Sequence, residues 1–167
     1  MKAIVCDAWG PPSSLQLREL PSPVPGPKQV LVRTRVAAVN FPDALMVAGK
    51  YQFKPDFPFS PGGELSGEII AVGSEVKRLS VGDKVVGIAT HGAYAQETLI
   101  AANAVIPLPA DISDADLELA GSFVLTYGTS LHALKDRANG QAGETLLVLG
   151  AGGGVGLAAV EIGKLLG

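Results

Sequence analysis

The sequence predicts an α/β chain in two parts, and three observations predict it. Short runs rich in Val, Ile and Leu, separated by Gly and Pro turns, fill the first part and read as the strands of a barrel or sandwich. From Ser113 onward the spacing of apolar residues becomes helical. Near the far end, Thr145-Leu-Leu-Val-Leu149 runs into Gly150-Ala-Gly-Gly-Gly-Val-Gly156 and then into Leu157–Leu166, which reads as buried strand, tight turn and helix. The change of pattern places a domain boundary near residues 120–125, giving parts of 1–122 and 123–167.

Taken in order, Lys2–Asp7 and Leu15–Leu20 are the first two strands. Pro21-Ser-Pro-Val-Pro-Gly-Pro27 is an extended, rigid connector, because proline fixes its own backbone angle and biases the residue before it. Gln29–Ala38 alternates, with Val30, Val32, Thr34 and Val36 on one face and Arg33 and Arg35 on the other, as a half-exposed strand does. Glu64–Val72, Asp83–Ile88 and Ala93–Ile100 continue the series, with Gly73-Ser74 and Gly82-Asp83 as turn chemistry. Asp114–Leu119 is predicted helical, with Ser113 and Asp116 at capping-box spacing. A second helix is expected over Ser130–Ala138, stopped by Asn139-Gly140. In the last helix Val155, Ala158, Ala159, Ile162 and Leu166 recur at three- and four-residue spacing and form one apolar stripe.

Composition limits the function classes. With 167 residues, 47% of them hydrophobic, the chain has enough apolar material for a folded core. A net charge of -3, with basic residues scattered singly, argues against nucleic acid or an anionic membrane surface as a partner. The single cysteine, Cys6, rules out an internal disulfide and suits a reducing, cytoplasmic setting. The apolar run at the N-terminus is too short for a signal peptide, and no stretch has the length of a membrane span.

The glycine turn carries the clearest chemical expectation. Glycines let backbone N–H groups approach an anion at the positive end of a helix, and a dinucleotide pyrophosphate is the natural guest. The common G-x-G-x-x-G fingerprint is not met, because its third glycine would fall at Val155. What is present is Gly150-x-x-Gly153-x-x-Gly156, with Gly152 and Gly154 in addition. A flexible strand-to-helix loop with no ligand is the competing reading, and the flanking buried strand and amphipathic helix favour a nucleotide site.

Four blocks in this order and spacing resemble the zinc-independent quinone oxidoreductases (zeta-crystallin-like) of the medium-chain dehydrogenase/reductase superfamily. They are Val39-Asn-Phe-Pro-Asp-Ala-Leu-Met-Val-Ala-Gly-Lys-Tyr51, Pro58-Phe-Ser-Pro-Gly-Gly-Glu-Leu-Ser-Gly67, Val81-Gly-Asp-Lys-Val-Val-Gly87 and Gly150–Gly156. The resemblance covers the whole chain. It implies a GroES-like β-barrel catalytic domain over 1–122, the beginning of a Rossmann domain over 123–167, and an active site in the cleft between the two. It also implies NADPH as the cofactor, a quinone or similar conjugated acceptor as the substrate, and a homodimer in the full-length form.

The zinc-dependent alcohol dehydrogenases of the superfamily carry a ligating histidine before the glutamate of a Gly-His-Glu motif, whereas here Gly63 precedes Glu64. The cysteine ligand expected at the start of the first block is replaced within Asn40-Phe41-Pro42-Asp43. With Cys6 alone and with His91 and His132 far apart in sequence, no zinc site is expected. Hydride transfer to an acceptor that needs no Lewis acid fits this, and quinones and activated alkenes are such acceptors.

By resemblance, Asn40, Asp43 and Tyr51 line the substrate side, with Asn40 near the nicotinamide and Tyr51 over the substrate ring, and Thr129 approaches the cofactor's carboxamide. Gly150, Gly152, Gly153, Gly154, Val155 and Gly156 form the pyrophosphate turn. Each side chain also has a structural alternative: Asn40 and Asp43 stabilise a turn around Pro42, Tyr51 covers a loop, and Thr129 caps a helix. By the family's pattern the residue that reads the adenosine ribose lies about 20 positions beyond the turn, so the 167 residues are expected to be the N-terminal half of an enzyme. The alternatives are an enoyl-type reductase of the same superfamily and a non-enzymatic GroES-like binding or oligomerisation module.

Overall fold

The computed structural model describes residues 1–167, which form two units, Met1–Ser122 and Phe123–Gly167. In the first, β1 (Lys2–Val5) and β2 (Gln16–Glu19) make an antiparallel hairpin. β3 (Gln29–Ala37) then leads into a seven-residue helix, α1 (Phe41–Val47). Next come β4 (Glu64–Val72), β5 (Lys84–Ile88), β6 (Glu97–Ala101) and β7 (Val105–Pro107), and α2 (Asp114–Ala120) closes the unit.

The five later strands form one antiparallel sheet in the order β6-β3-β4-β5-β7. Register shifts at Leu31/Val32 and Thr34/Val36 put bulges in the β3–β4 ladder, which bend the strand and sharpen its twist as closure into a barrel requires. The hairpin is tied to the sheet's loops by bridges between Ala3 and Ala95 and between Cys6 and Phe59. Val30, Val32, Leu65, Ile69 and Val85 are completely buried and make the centre of the core. Each such side chain contributes about 1.5–3 kcal/mol by leaving water. Arg33 and Arg35 face out, as the alternation of β3 predicts, and Arg35 pairs with Glu118 of α2 at 2.9 Å.

Ser113 caps α2 as its spacing predicts, its hydroxyl oxygen accepting from the Asp116 N–H at 3.1 Å. The hydroxyl hydrogen goes to the Asp116 carboxylate at 2.7 Å, so Asp116 bonds the Ser113 side chain and not its backbone N–H as a full capping box would. Three elements depart from expectation. β6 starts at Glu97 rather than near Ala93, because residues 93–96 bond to the hairpin and loops instead. β7, three residues long, and α1 are both too short to show a hydrophobic period.

The second unit contains α3 (Val124–Leu131), a wider π turn over His132–Arg137 continuous with it, and α4 (Gly154–Leu166). The helix expected at Ser130 therefore starts six residues earlier, at Val124. It stops where expected, with Asn139 in the left-handed region at φ 51°. Ala158 and Ile162 of the apolar stripe are buried, and Ser130 donates to the Val155 carbonyl at 2.8 Å to join the two helices. Residues 145–149 are not a strand. A strand exists only as one side of a ladder, and the described residues offer this run no partner. No helix is long and apolar enough to cross a membrane.

Candidate active site and dinucleotide turn

In the first unit the candidate residues are assembled where β3 hands over to α1. Asn40 is the N-cap of α1, in extended conformation, and Pro42 stands in the first turn, where its missing N–H has no partner to lose. Asp43 reaches back from the third helical position and accepts from the Asn40 backbone N–H at 2.8 Å. The turn-stabilising reading of Asp43 is thus realised, by a carboxylate that is only 5% exposed.

The same oxygen, Oδ2 of Asp43, also accepts from the Tyr94 hydroxyl at 2.8 Å, across 51 residues of sequence. A weaker contact joins Tyr94 to the Ala38 carbonyl at 3.4 Å. The Asn40 side-chain amide donates from Nδ2 to Oε2 of Glu64 at 3.1 Å, and Glu64, the first residue of β4, is wholly buried. Burial, and then the hydrogen bond and charge of Asp43, push the Tyr94 hydroxyl well above the ordinary phenol value, so Tyr94 is a fixed donor.

Two consecutive glycines make room for this cluster. Gly62 has φ 93°, a backbone open to glycine at little strain, and a Cβ there would lie 2.4 Å from the Tyr94 ring. At Gly63 a Cβ would lie 3.7 Å from Oδ1 of Asp43 and 3.3 Å from the Ala89 carbonyl, so a side chain at this position would project beside the carboxylate. Tyr94 and Glu64 were not among the residues singled out from the sequence. Glu64 left a signal, as the glutamate that follows Gly62-Gly63 in the second block, while Tyr94 left none.

Tyr51 takes no part in this hydrogen-bonded cluster. It packs, partly buried, against the apolar group of Cys6, Met46, Val47 and Phe59 behind the end of α1. His91 is stacked on Phe53 with ring centroids 6.1 Å apart and meets Phe59 edge-on at 5.8 Å. Desolvation lowers its pKa, partly offset by a hydrogen bond to the Ser60 backbone. A concavity of about 1140 Å3 opens beside Lys28, Leu79 and Val105 and contains none of the candidate residues.

In the second unit the glycine turn precedes α4. Gly150 has φ 78° and its carbonyl accepts from the Gly153 N–H at 3.1 Å. Gly153, extended at φ -87° and ψ 161°, is the N-cap, and its carbonyl accepts the first helical bond, from Leu157 at 2.8 Å. The N–H groups of Gly154, Val155 and Gly156 are therefore the unsatisfied first-turn donors, at the end of the helix where the dipole is positive. Around Gly152 there is open space, and a Cβ on Gly153 would make only an ordinary contact, so the backbone is uncovered where an anion would approach. These features fit a pyrophosphate.

Thr129 is exposed in the interior of α3, which excludes the helix-cap reading, since α3 begins at Val124. It is Thr126 whose methyl group lies nearest the turn, 3.3 Å from where a Cβ on Gly154 would be.

Comparison with known proteins bears on both units. Residues 26–110 match the alcohol dehydrogenase GroES-like domain. A quinone oxidoreductase-like protein 2 homolog of Nematostella vectensis is 38% identical over 162 residues, covering 96% of this chain and 43% of the relative. The solved quinone oxidoreductase of Thermus thermophilus, also known in complex with NADPH, is 32% identical with a TM-score of 0.84, covering 100% of this chain and 51% of that one. The CurK enoyl reductase structure is 26% identical with a TM-score of 0.87, covering 99% and 52%. The chain spans about half the length of the curated relatives it matches. Its fold is accordingly a GroES-like barrel followed by the start of a Rossmann domain. The chain belongs to the alcohol dehydrogenase GroES-like domain family, and the full-length relatives it resembles are quinone oxidoreductases.

Proposed function

We propose that this chain is the barrel and cofactor-turn portion of an oxidoreductase that carries hydride from NADPH to a quinone or similar conjugated acceptor without zinc. The observation that carries the reading is the uncovered turn Gly150–Gly156 at the head of α4, in a chain similar over nearly all its length to quinone oxidoreductases. Residues 1–122 serve as the catalytic domain and 123–167 begin the NADPH domain. When bound, the nicotinamide supplies the hydride.

The chain's own residues bind and orient. The backbone donors of Gly154, Val155 and Gly156, with Gly150, Gly152 and Gly153 keeping the approach clear, hold pyrophosphate. Asn40 faces the nicotinamide and acceptor, kept in place by Asp43; Tyr51 supplies an apolar ring for the acceptor; Thr129 contacts the carboxamide. The zinc-free reading is supported by Gly63 at the histidine position and by the lack of any group of three His, Cys, Asp or Glu side chains arranged as a metal site. The proposal includes a cytoplasmic homodimer for the full-length protein, as the resemblance implies.

A second reading, reduction of an enone or enoyl thioester, is favoured by the similarity to the CurK enoyl reductase. Both acceptors present an electron-poor carbon to the same donor. The test is a panel of quinones and enones assayed with NADPH and with NADH, using the full-length gene product. Quinone turnover with NADPH is expected; turnover of enones alone would establish the second reading, and turnover of neither would overturn both.

A further inference from the structure

We propose that Tyr94 and Glu64 are positioning residues that fix the orientation in which Asn40 meets its ligand, Tyr94 acting through Asp43 and the Asn40 backbone, Glu64 through the Asn40 side-chain amide. The inference rests on the proposed function in one respect, that Asn40 faces cofactor and acceptor.

The geometry gives Asn40 two independent restraints. Its backbone N–H is held by Oδ2 of Asp43 at 2.8 Å, and that oxygen is held in turn by the Tyr94 hydroxyl at 2.8 Å. Its Nδ2 donates to Oε2 of Glu64 at 3.1 Å. A carboxylate accepts and does not donate, so Glu64 selects the nitrogen side of the amide and turns the Asn40 oxygen away from itself. The flip state of the amide is set on its nitrogen side by a buried acid, and on its oxygen side by the capping-box bond from the Asp43 N–H.

The composition of the cluster argues that it does more than support α1. A helix cap needs one carboxylate, and Asp43 supplies it. A second acid, wholly buried, and a phenol reaching across 51 residues add desolvation that an apolar core would avoid. Gly62, at φ 93°, is the backbone against which the Tyr94 ring rests, so the ring has its own packing site independent of its hydroxyl. Removing only the hydroxyl therefore leaves that packing intact.

Tyr94→Phe in the full-length gene product is the direct test, read by quinone reduction and by the 15N-edited side-chain amide signal of Asn40. The expected result is a kcat lower by about tenfold to a hundredfold with the KM for NADPH unchanged, as small displacements of an orienting group give. The Asn40 amide signal moves. In an Asn40→Ala background Tyr94→Phe has no further effect, which a merely structural role would not produce. Glu64→Gln, whose amide oxygen still accepts from Asn40, retains most of the rate that Glu64→Leu loses, and this pair serves if Tyr94→Phe does not fold. Additive losses with Asn40→Ala, or an unmoved Asn40 signal, would overturn the proposal. If the wild-type protein reduces neither quinones nor enones, the functional reading fails by itself, and the Asn40 signal alone then decides whether Tyr94 and Glu64 position it.

Discussion

A Cβ on Gly156 would lie 2.3 Å from the carbonyl oxygen of Gly150, whereas one on Gly153 would meet that same oxygen at 3.6 Å. The two glycines, equivalent in the sequence pattern, therefore do different things. Gly156 lets the helix close onto the turn, and Gly153 is dispensable to the fold. Gly153→Val should fold normally yet lower NADPH affinity by more than tenfold, that is by more than about 1.4 kcal/mol, by placing a branched side chain where pyrophosphate approaches. Gly156→Val should lose stability as well as affinity. Calorimetric titration together with thermal melts separates the two, and a folded Gly153→Val protein with unchanged NADPH binding would remove pyrophosphate from this turn.

What was legible in the sequence depended on how local its cause was. The alternation of Val30, Val32 and Thr34 against Arg33 and Arg35, the Ser113 cap and the Asn139-Gly140 stop are set by neighbours within a few residues, and the structure has them in place. Asn40 and Asp43 were found through the block that contains them, and the structure joins them at 2.8 Å. Tyr94 reaches Asp43 across 51 residues, and Glu64 reaches Asn40 across 24, so no local pattern announces either contact. Residues 145–149 have the composition of a buried strand, but ladder formation depends on a neighbour that composition cannot supply.

Alkaline titration should report on Tyr94. Desolvation and Asp43 raise its pKa in the folded state, while in the unfolded chain it ionises near the usual value of about 10. Above that pH the unfolded state releases a proton that the folded state keeps, so the contribution of Tyr94 to stability is present below pH ~10 and declines as pH rises. Absorbance of phenolate should show a tyrosine step that accompanies unfolding, and Tyr94→Phe should diminish it. If all tyrosines ionise together before unfolding, the bond to Asp43 does not form.

His91 gives the opposite limb. Desolvation depresses its pKa, so the folded state favours neutral imidazole, and the unfolded chain takes up a proton near pH 6.5 before the folded one does. Stability should be full above that pH, fall as pH drops through about 6.5, and stop falling once folded His91 is itself protonated. Thermal melts between about pH 7 and pH 5 should show a steeper loss for wild type than for His91→Gln. Parallel curves would mean that His91 is solvated rather than packed between Phe53 and Phe59.

Metal removal should be without consequence. Because no three His, Cys, Asp or Glu side chains of this chain converge, and glycine stands at position 63, the purified protein should hold well under one zinc per chain. Dialysis against a chelator should leave quinone reduction unchanged. A stoichiometric zinc whose loss abolishes activity would refute the zinc-free mechanism.

The run Thr145–Leu149 carries a consequence for the polypeptide of residues 1–167 expressed alone. Leu146 packs onto Gly163 of α4, while Leu147 and Leu149 are 81% and 87% exposed. Leu165 adds a third open side chain at 86%. An apolar, unpaired segment is a template for edge-to-edge association, and no charge or proline within Leu146–Leu149 interrupts it. The 167-residue polypeptide should therefore bind a hydrophobic dye, associate as its concentration rises, and hold NADPH weakly, since the turn is anchored on one side only. Replacing Leu147 and Leu149 together with Thr keeps β propensity but removes the apolar face, and should suppress both dye binding and association. Monodisperse, dye-silent behaviour of the unsubstituted polypeptide in sedimentation would show that these leucines are covered in solution.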